Sequence, residues 1–445
     1  MGNADLMMLG AFLAVAMSAV FAAVFNPPPP KPGVVGIDLG TTFSVIALFH
    51  NGSVEVVPDH LKKILTPSVV AFAEQGKVLV GYEAQKYGLK HPKSMAFDAK
   101  RYIGHNFTEE TVQRDKELVP FDVVNVDGKA HIQVMAGDKK LTMSPQTVGS
   151  HVLRKLKRQA EDYIGRSVLM AVLAVPADFT EEQRNATIEA GRMAGLDVLR
   201  VISEPTAAAL AYGLQEMAAA NILVYDFGGG TLDVSLLRLE SGVFEVQAAC
   251  GDEHLGGQDL NMGLLEYLLE KFYKETGIRV TDFAAVDTLR NAVEEAKISL
   301  SSQEKATVSI PHFYAGKPLT HTLTRDEVER VWGPLLERAI WPVQQVLEIS
   351  GYEPSDVDEI VLVGGTTRVP YIRKMMHDFF RKEANWRVDP DQAVAWGTAL
   401  QAGILTDAKG IKMAATEHWK TSSLRCNPLA RPHRTLPHER QNTGA

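Results

Sequence analysis

A short phrase occurs twice in this chain and limits its fold more than any other feature. A β-forming run ends in Asp38-Leu39-Gly40-Thr41-Thr42, and 188 positions later another ends in Asp226-Phe227-Gly228-Gly229-Gly230-Thr231. Each is followed by a fresh β run, at 43–49 and 232–237. A lone Asp-x-Gly is an ordinary hairpin turn. Two copies with hydroxyls at the matched place point to two similar lobes facing one another across a cleft.

The turns also indicate a chemistry. Glycine has no Cβ and tolerates positive φ, so backbone N–H groups in such turns can approach an anion closely. The hydroxyls of Thr41, Thr42 and Thr231 add donors. Asp38 and Asp226 fall at strand ends beside those turns, where they can hold a hydrated Mg²⁺ through its waters, because that ion dehydrates reluctantly. A third strand runs into glycine at Val361-Leu362-Val363-Gly364-Gly365-Thr366-Thr367-Arg368, a turn suited to close packing against a nucleoside.

Between these phrases, strand-like runs at 34–37, 45–49, 54–57, 171–175, 222–225 and 360–363 alternate with helical patterns at 144–163, 180–194 and 262–273. Short apolar strands alternating with helices predict an α/β architecture with largely buried sheets. With 445 residues, more than one core-bearing unit is expected. We expect lobe I at 34–220 and lobe II at 221–405, with helices returning to lobe I near the end. A disordered tail is expected at 406–445, where apolar periodicity stops. The 46 basic and 54 acidic residues are scattered, giving a net charge of −8. That excludes a general nucleic-acid binder, which needs concentrated Lys and Arg. Two cysteines, Cys250 and Cys426, make no disulfide framework, and no Cys/His cluster has zinc spacing.

Residues 6–25 carry no charge, and Pro27 to Pro30 end any helix there. The run reads as a signal peptide, an uncleaved anchor giving membrane association, or a buried core helix. No Lys or Arg precedes it and Lys31 follows it, which by the positive-inside rule favours a cytoplasmic body. Asn-x-Ser/Thr triplets stand at Asn51, Asn106 and Asn185, and the last residues, 441–445, form no luminal retrieval signal.

The phrases together resemble the nucleotide-binding domain of the 70-kDa heat-shock chaperone family over about residues 34–405. The matching stretches are Gly36 to Thr42, Asp98-Ala99-Lys100-Arg101, Val175-Pro176-Ala177, Glu204-Pro205-Thr206-Ala207-Ala208-Ala209, Asp226 to Asp233, His254-Leu255-Gly256-Gly257, and Val363 to Pro370. The resemblance implies an actin-like ATPase fold, Mg²⁺ and ATP/ADP as cofactors, and slow ATP hydrolysis. It implies that Gly40, Thr41, Thr42, Phe43, Gly228, Gly229, Gly230 and Thr231 cradle phosphates. Asp38 and Asp226 are expected to position Mg²⁺ and, as in the family, to help hold K⁺. Lys100 is expected to reach the γ-phosphate and the attacking water, and Glu204 and Asp233 to orient water. Glu294, Lys297, Ser301, Gly364, Gly365, Arg368 and Asp391 match adenosine contacts. Pro176 and Arg184 match a relay from nucleotide to partner surface.

Three residues depart from the family's habit. Ile298 stands where an arginine usually lies on the adenine, which loses a cation–π component of ~0.5–2 kcal/mol. Phe43 and Asp178 each replace a tyrosine. No peptide-binding domain is recognisable after Leu405, so no autonomous peptide substrate is expected. The resemblance further implies co-chaperones or nucleotide-exchange partners. With its apolar leader, the chain resembles the family's microsomal, ATPase-core members, which implies the endoplasmic reticulum lumen against the charge rule. Two other functions compete. A sugar or acetate kinase of the same superfamily would need an acceptor pocket, and the 204–209 and 254–257 phrases belong to the chaperone pattern instead. A nucleotide-gated binding module would use shape change, with hydrolysis incidental.

Overall fold

A computed structural model of the chain describes residues 33–406 apart from Asn51, together with 416–418 and 424–425. The apolar run at 6–25 and the rest of the tail lie outside the described residues. Among the described residues no helix is long and apolar enough to cross a membrane.

Strand β1 (Gly33–Leu39) is buried almost throughout because it runs through the middle of the first sheet. It turns at 40–42 into β2 (Phe43–His50), antiparallel with Asp38 opposite Val45, and β2 pairs with β3 (Ser53–Val56). On its other side β1 runs parallel to β4 (Val168–Val175), which runs parallel to β5 (Asp197–Ser203). Parallel neighbours need crossovers. Helix α1 (Pro145–Ile164) precedes β4, and α2 (Glu181–Met193) joins β4 to β5. Both begin where the sequence says they should: Ser144 caps α1, and Thr180 with Gln183 forms a capping box on α2. Helix α3 (Glu204–Ala211) follows β5 directly, capped by Ser203.

The second sheet repeats this plan. Strand β6 (Ala219–Phe227) turns into β7 (Leu232–Glu240) and then β8 (Val243–Asp252), all antiparallel, while β6 runs parallel to β9 (Glu359–Val363). Helices α4 (Gly257–Thr276), α5 (Phe283–Leu300) and α6 (Arg325–Ser350) cover this sheet, with α7 (Pro370–Phe380) after β9. A hairpin-led meander with a parallel strand beside its first member is thus built twice, as the repeated phrase predicts. The first strands of the two meanders end in Asp38 and Asp226.

The lobes are joined by helix α8 (Ala393–Leu405), which returns to pack on β1, β2 and α3. Two glycines permit its approach. A Cβ on Gly397 would lie 1.7 Å from the Ala207 carbonyl oxygen, and one on Gly36 would lie 2.0 Å from the Ala399 nitrogen. One apolar cluster spans the junction, with Val34, Phe49 and Val172 from lobe I beside Ile222, Val224 and Val361 from lobe II. The lobes therefore share a packed base while the turns face each other above it.

Some elements were not expected from the sequence. The strands Asp122–Val126, Lys129–Ala136 and Lys139–Met143 form a small sheet, and Lys305–Tyr314 pairs with Lys317–Thr324. Within the segment expected to be disordered, β10 (Thr416–His418) and β11 (Leu424–Arg425) pair with β8. Cys250 on β8 is buried and disulfide-bonded.

Candidate active site between the lobes

Each phosphate-type turn is fixed from behind. In the first, Ser68 donates from its hydroxyl to the Gly40 carbonyl at 2.7 Å and from its backbone N–H to Thr42 at 2.9 Å. In the second, Gly228 donates to Thr231 at 2.9 Å, and its carbonyl accepts from the Gly257 N–H at 3.0 Å and the Thr366 hydroxyl at 2.8 Å. The turns meet across the gap: a side-chain carbon on Gly229 or Gly230 would lie 3.1 Å from Thr42 Oγ1. A side chain there would crowd Thr42 of the opposing turn. Phe43 opens β2 directly behind the first turn.

Lys100 sits on a short turn (Ala99–Arg101) entered through Asp98 at φ +53°. Its Nζ lies 2.5 Å from Oε1 of Glu204, the first residue of α3, and both side chains are nearly buried. Asp38, Asp226 and Asp233 gather around this pair. Asp226 and Asp233 are directly opposite on β6 and β7, and the Thr231 hydroxyl bonds to Asp233. Burial is the main cause of the shifts of the three aspartates. Asp38 is pushed up to about 7, with Glu204 adding to the effect and Lys100 opposing it. Asp233 is likewise raised to about 7 by burial, then by Asp178 and Glu204. Asp226 is raised well above the carboxylate range by burial, with the other carboxylates adding. Burial alone would lower Lys100, but Glu204, Asp38 and Asp233 outweigh it and raise it.

Four carboxylates therefore share a single ammonium. An all-oxygen, electron-rich donor set short of positive charge fits a hard cation such as Mg²⁺, not a soft metal. Asp38 and Asp226, one from each lobe, would be among the carboxylates able to hold it.

The residues expected to contact a nucleoside lie on α5, on the turn after β9 and just before α8. Glu294, Lys297 and Ser301 share one face of α5 at spacings of three and four. Lys297 reaches Glu294 at 3.0 Å and the Gly257 carbonyl at 3.2 Å, and its pKa is lowered by burial against the pull of Glu294. Gly364 sits at φ +80°, where a Cβ would strike the Phe227 carbonyl at 2.3 Å, so only glycine fits beside β6. Gly365 packs against Asp391. Arg368 is gripped along its edge by Asp391 at 3.0 Å and Asp389 at 2.5 Å, which fixes the guanidinium plane. Ile298 is 61% exposed on α5. Pro176 lies on the turn between β4 and α2, and Arg184 lies on α2 itself, where it donates to the Phe179 carbonyl at 2.7 Å.

One group of residues carried no assigned role in the sequence reading. Arg101 crosses the cleft to the carbonyls of Gly230, at 3.2 Å, and Glu253. Arg114 bonds Glu253 at 3.2 Å and Asp115 at 3.1 Å, and Asp115 lies 3.1 Å from His254 Nε2. Lobe I is thereby latched to the loop after β8. Among the described residues Asp115, Glu253 and His254 are the one acid/His group close enough to share a metal, within 4.8 Å. Arg114 already balances both carboxylates, so the group is an ion-pair latch. Arg101 and His254 stood inside the phrases quoted above, so a signal existed for them; Arg114 and Glu253 had none.

Two lobes of one topology, with Asp-bearing turns facing each other between them, define an actin-like ATPase fold. The family described as Hsp70 protein matches residues 34–417, and the chain belongs to the Hsp70 family. That family comprises ATP-binding, chaperone-type ATPases that use ATP and ADP with Mg²⁺ and work with co-chaperones.

Proposed function

We propose that this chain binds Mg·ATP between its lobes and hydrolyses it slowly, with water as acceptor, as a chaperone-type ATPase core. The observation that carries this reading is the Lys100–Glu204 pair, 2.5 Å apart, set among aspartates from both lobes. Backbone N–H groups of Gly40 to Thr42 and Gly228 to Thr231 hold the phosphates. Lys100 faces the transferred phosphoryl group, a suitable place for a compact cation. Glu204 and Asp233 orient the attacking water and accept its proton. Mg²⁺, when bound, neutralises charge on the β- and γ-phosphates. Asp38 and Asp226 hold it, and K⁺ ions balance the carboxylates that remain. Arg368 and Ile298 face the base, while Glu294, Lys297 and Ser301 contact the ribose.

A second reading, a nucleotide-gated interaction module, is favoured by the latch of Arg101, Arg114 and His254. Nucleotide contacts in both lobes would bias the same closure that the latch stabilises, and a co-chaperone or exchange partner would read it. Phosphate release by the full chain in Mg·ATP decides the first reading: no release above the Lys100→Ala background refutes hydrolysis. Partner binding that differs between ATP and ADP despite that result would favour the second.

We place the body in the endoplasmic reticulum lumen, as in microsomal ATPase-core members of the family, anchored or led there by residues 6–25. A disulfide at Cys250 supports an oxidising compartment. Asn106 is exposed and offers the most accessible sequon among the described residues, whereas Thr187 of the Asn185 triplet is buried. Made with microsomes, the body should resist protease until detergent is added. Digestion in intact microsomes would place it in the cytosol.

A further inference from the structure

The segment that carries Lys100 is seated on the start of α2. Ile103 is buried with Val175 at the end of β4, with Phe179 on the turn that follows, and with Ala186 on α2. Gly104 comes closer still, since a Cβ on it would lie 2.7 Å from the Gln183 Cα. Lys100 Nζ itself lies 6.0 Å from the centre of the Phe179 ring. Apolar burial is non-directional, so it holds the segment down without fixing where along the helix it sits.

Hydrogen bonds supply the direction. The half-buried His105 has Nε2 3.0 Å from Gln183 Nε2 and Nδ1 2.5 Å from Glu109 Oε2. The Gln183 amide cannot turn round, because its Oε1 accepts from the Thr180 N–H at 2.9 Å in the cap of α2. Its NH₂ group therefore faces His105, so the ring must accept at Nε2 and carry its proton on Nδ1. Nδ1–H then donates to Glu109. The other oxygen of that carboxylate accepts from the backbone and side-chain N–H groups of Asn106, each at 2.8 Å. Burial would raise the pKa of Glu109, but the bonds from His105 and Asn106 outweigh it and lower it, so Glu109 stays an acceptor. Gln183 is 8% exposed, and water competes little for its amide.

We infer that His105 is a positioning residue for Lys100: its imidazole bridges Gln183 and Glu109 and so fixes the Lys100 turn in register on α2. The inference rests on the proposed role of Lys100 in hydrolysis. A misplacement of about 1 Å at a reacting centre can cost on the order of 100-fold in rate, so a slack seat would be felt in the chemical step.

Two amide substitutions separate the halves of the bridge. Glutamine places its amide where histidine has Nε2, so His105→Gln can keep the bond to Gln183. Asparagine places its amide at Nδ1, so His105→Asn can keep only the bond to Glu109. The main chain stays tied in every variant, because the His105 carbonyl accepts from the Ala130 N–H at 3.2 Å. In the full chain, His105→Ala and His105→Asn should slow single-turnover hydrolysis about fivefold and His105→Gln less than about twofold, with ADP affinity nearly unchanged in all three. A wild-type rate in His105→Ala, rescue by asparagine in place of glutamine, or ADP binding lost in step with the rate would overturn the inference. Hydrogen exchange over residues 99–104 of the nucleotide-free chain reads the seat apart from hydrolysis, and so stands even if the wild type releases no phosphate. Exchange should speed at least about fivefold in His105→Ala and His105→Asn and stay near wild type in His105→Gln. Unchanged exchange in His105→Ala would mean that the bridge fixes nothing. In the wild type, ¹⁵N NMR should find the imidazole proton on Nδ1. A ring protonated on Nε2 could not accept from Gln183 and would equally overturn the assignment.

Discussion

Lys100 has four carboxylates to serve, and its removal leaves Asp38, Glu204, Asp226 and Asp233 with no ammonium among them. Lys100→Ala should therefore cut hydrolysis at least ~10-fold while leaving ADP affinity within about twofold, because the ammonium serves the transferred group. Single-turnover phosphate release and ADP titration check this, and an equal loss of ADP binding would mean that the lysine is structural. The aspartates make a pH prediction. Burial raises Asp233 from the ordinary 3.8 to about 7 in the folded state, so between these values the native state holds a proton that the unfolded chain has released. The protons bound by the unfolded state minus those bound by the native state is then negative. Stability of the metal- and nucleotide-free protein should fall as pH rises through this window and level off above it. Asp233→Asn removes the titration, so in EDTA its melting temperature should exceed wild type at pH 8 and match it near pH 4. A wild-type advantage at pH 8 would mean that the ionised carboxylate is stabilised without any cation.

The elements that position the site were legible because their composition is extreme. β1, β4, β6 and β9 are near-continuous apolar runs, and α1 and α2 carry strong start signals. The sequence was mute where strands are short and half exposed. β5 alternates irregularly, and Lys139–Met143 is exposed at four of its five positions, leaving little hydrophobic contrast to read. Nor does a periodicity show where two backbones touch. The contact of α8 with α3 is such a case, since Gly397 meets the Ala207 carbonyl with no room for a methyl group. Gly397→Ala must push α8 off β1 and should cost about 1–3 kcal/mol, the usual range for overpacking. Urea denaturation monitored by tryptophan fluorescence would measure it, Trp396 being on α8 itself. A neutral substitution would mean that the helix slides freely, and the lobes would then lack a fixed base.

At the scale of the whole molecule, the active site was readable as a set of phrases but not as a closed object. The turns, the paired aspartates and the glycine wall all stood in the sequence. The latch as a whole did not, because its partners lie as far as 152 residues apart and nothing local marks such a contact. Its exposed member, Arg114 with Glu253, is worth little on general grounds. The buried member carries more. Asp115 is 4% exposed, and although burial would raise its pKa, hydrogen bonding to His254 and Arg114 outweighs that and lowers it. His254→Ala removes this interlobe contact while keeping the His254 backbone carbonyl that accepts from Arg338 at 3.0 Å. If closure and nucleotide binding share one equilibrium, loss of about 1 kcal/mol of coupling should speed ADP release roughly fivefold. The phosphate turns are untouched, so single-turnover hydrolysis of bound ATP should change much less. Stopped-flow release of a fluorescent ADP, read beside that hydrolysis rate, separates the two effects. Faster release with unaltered hydrolysis is the expected result. Unchanged release would mean that the lobes are held by their shared base alone and that the latch follows closure without stabilising it.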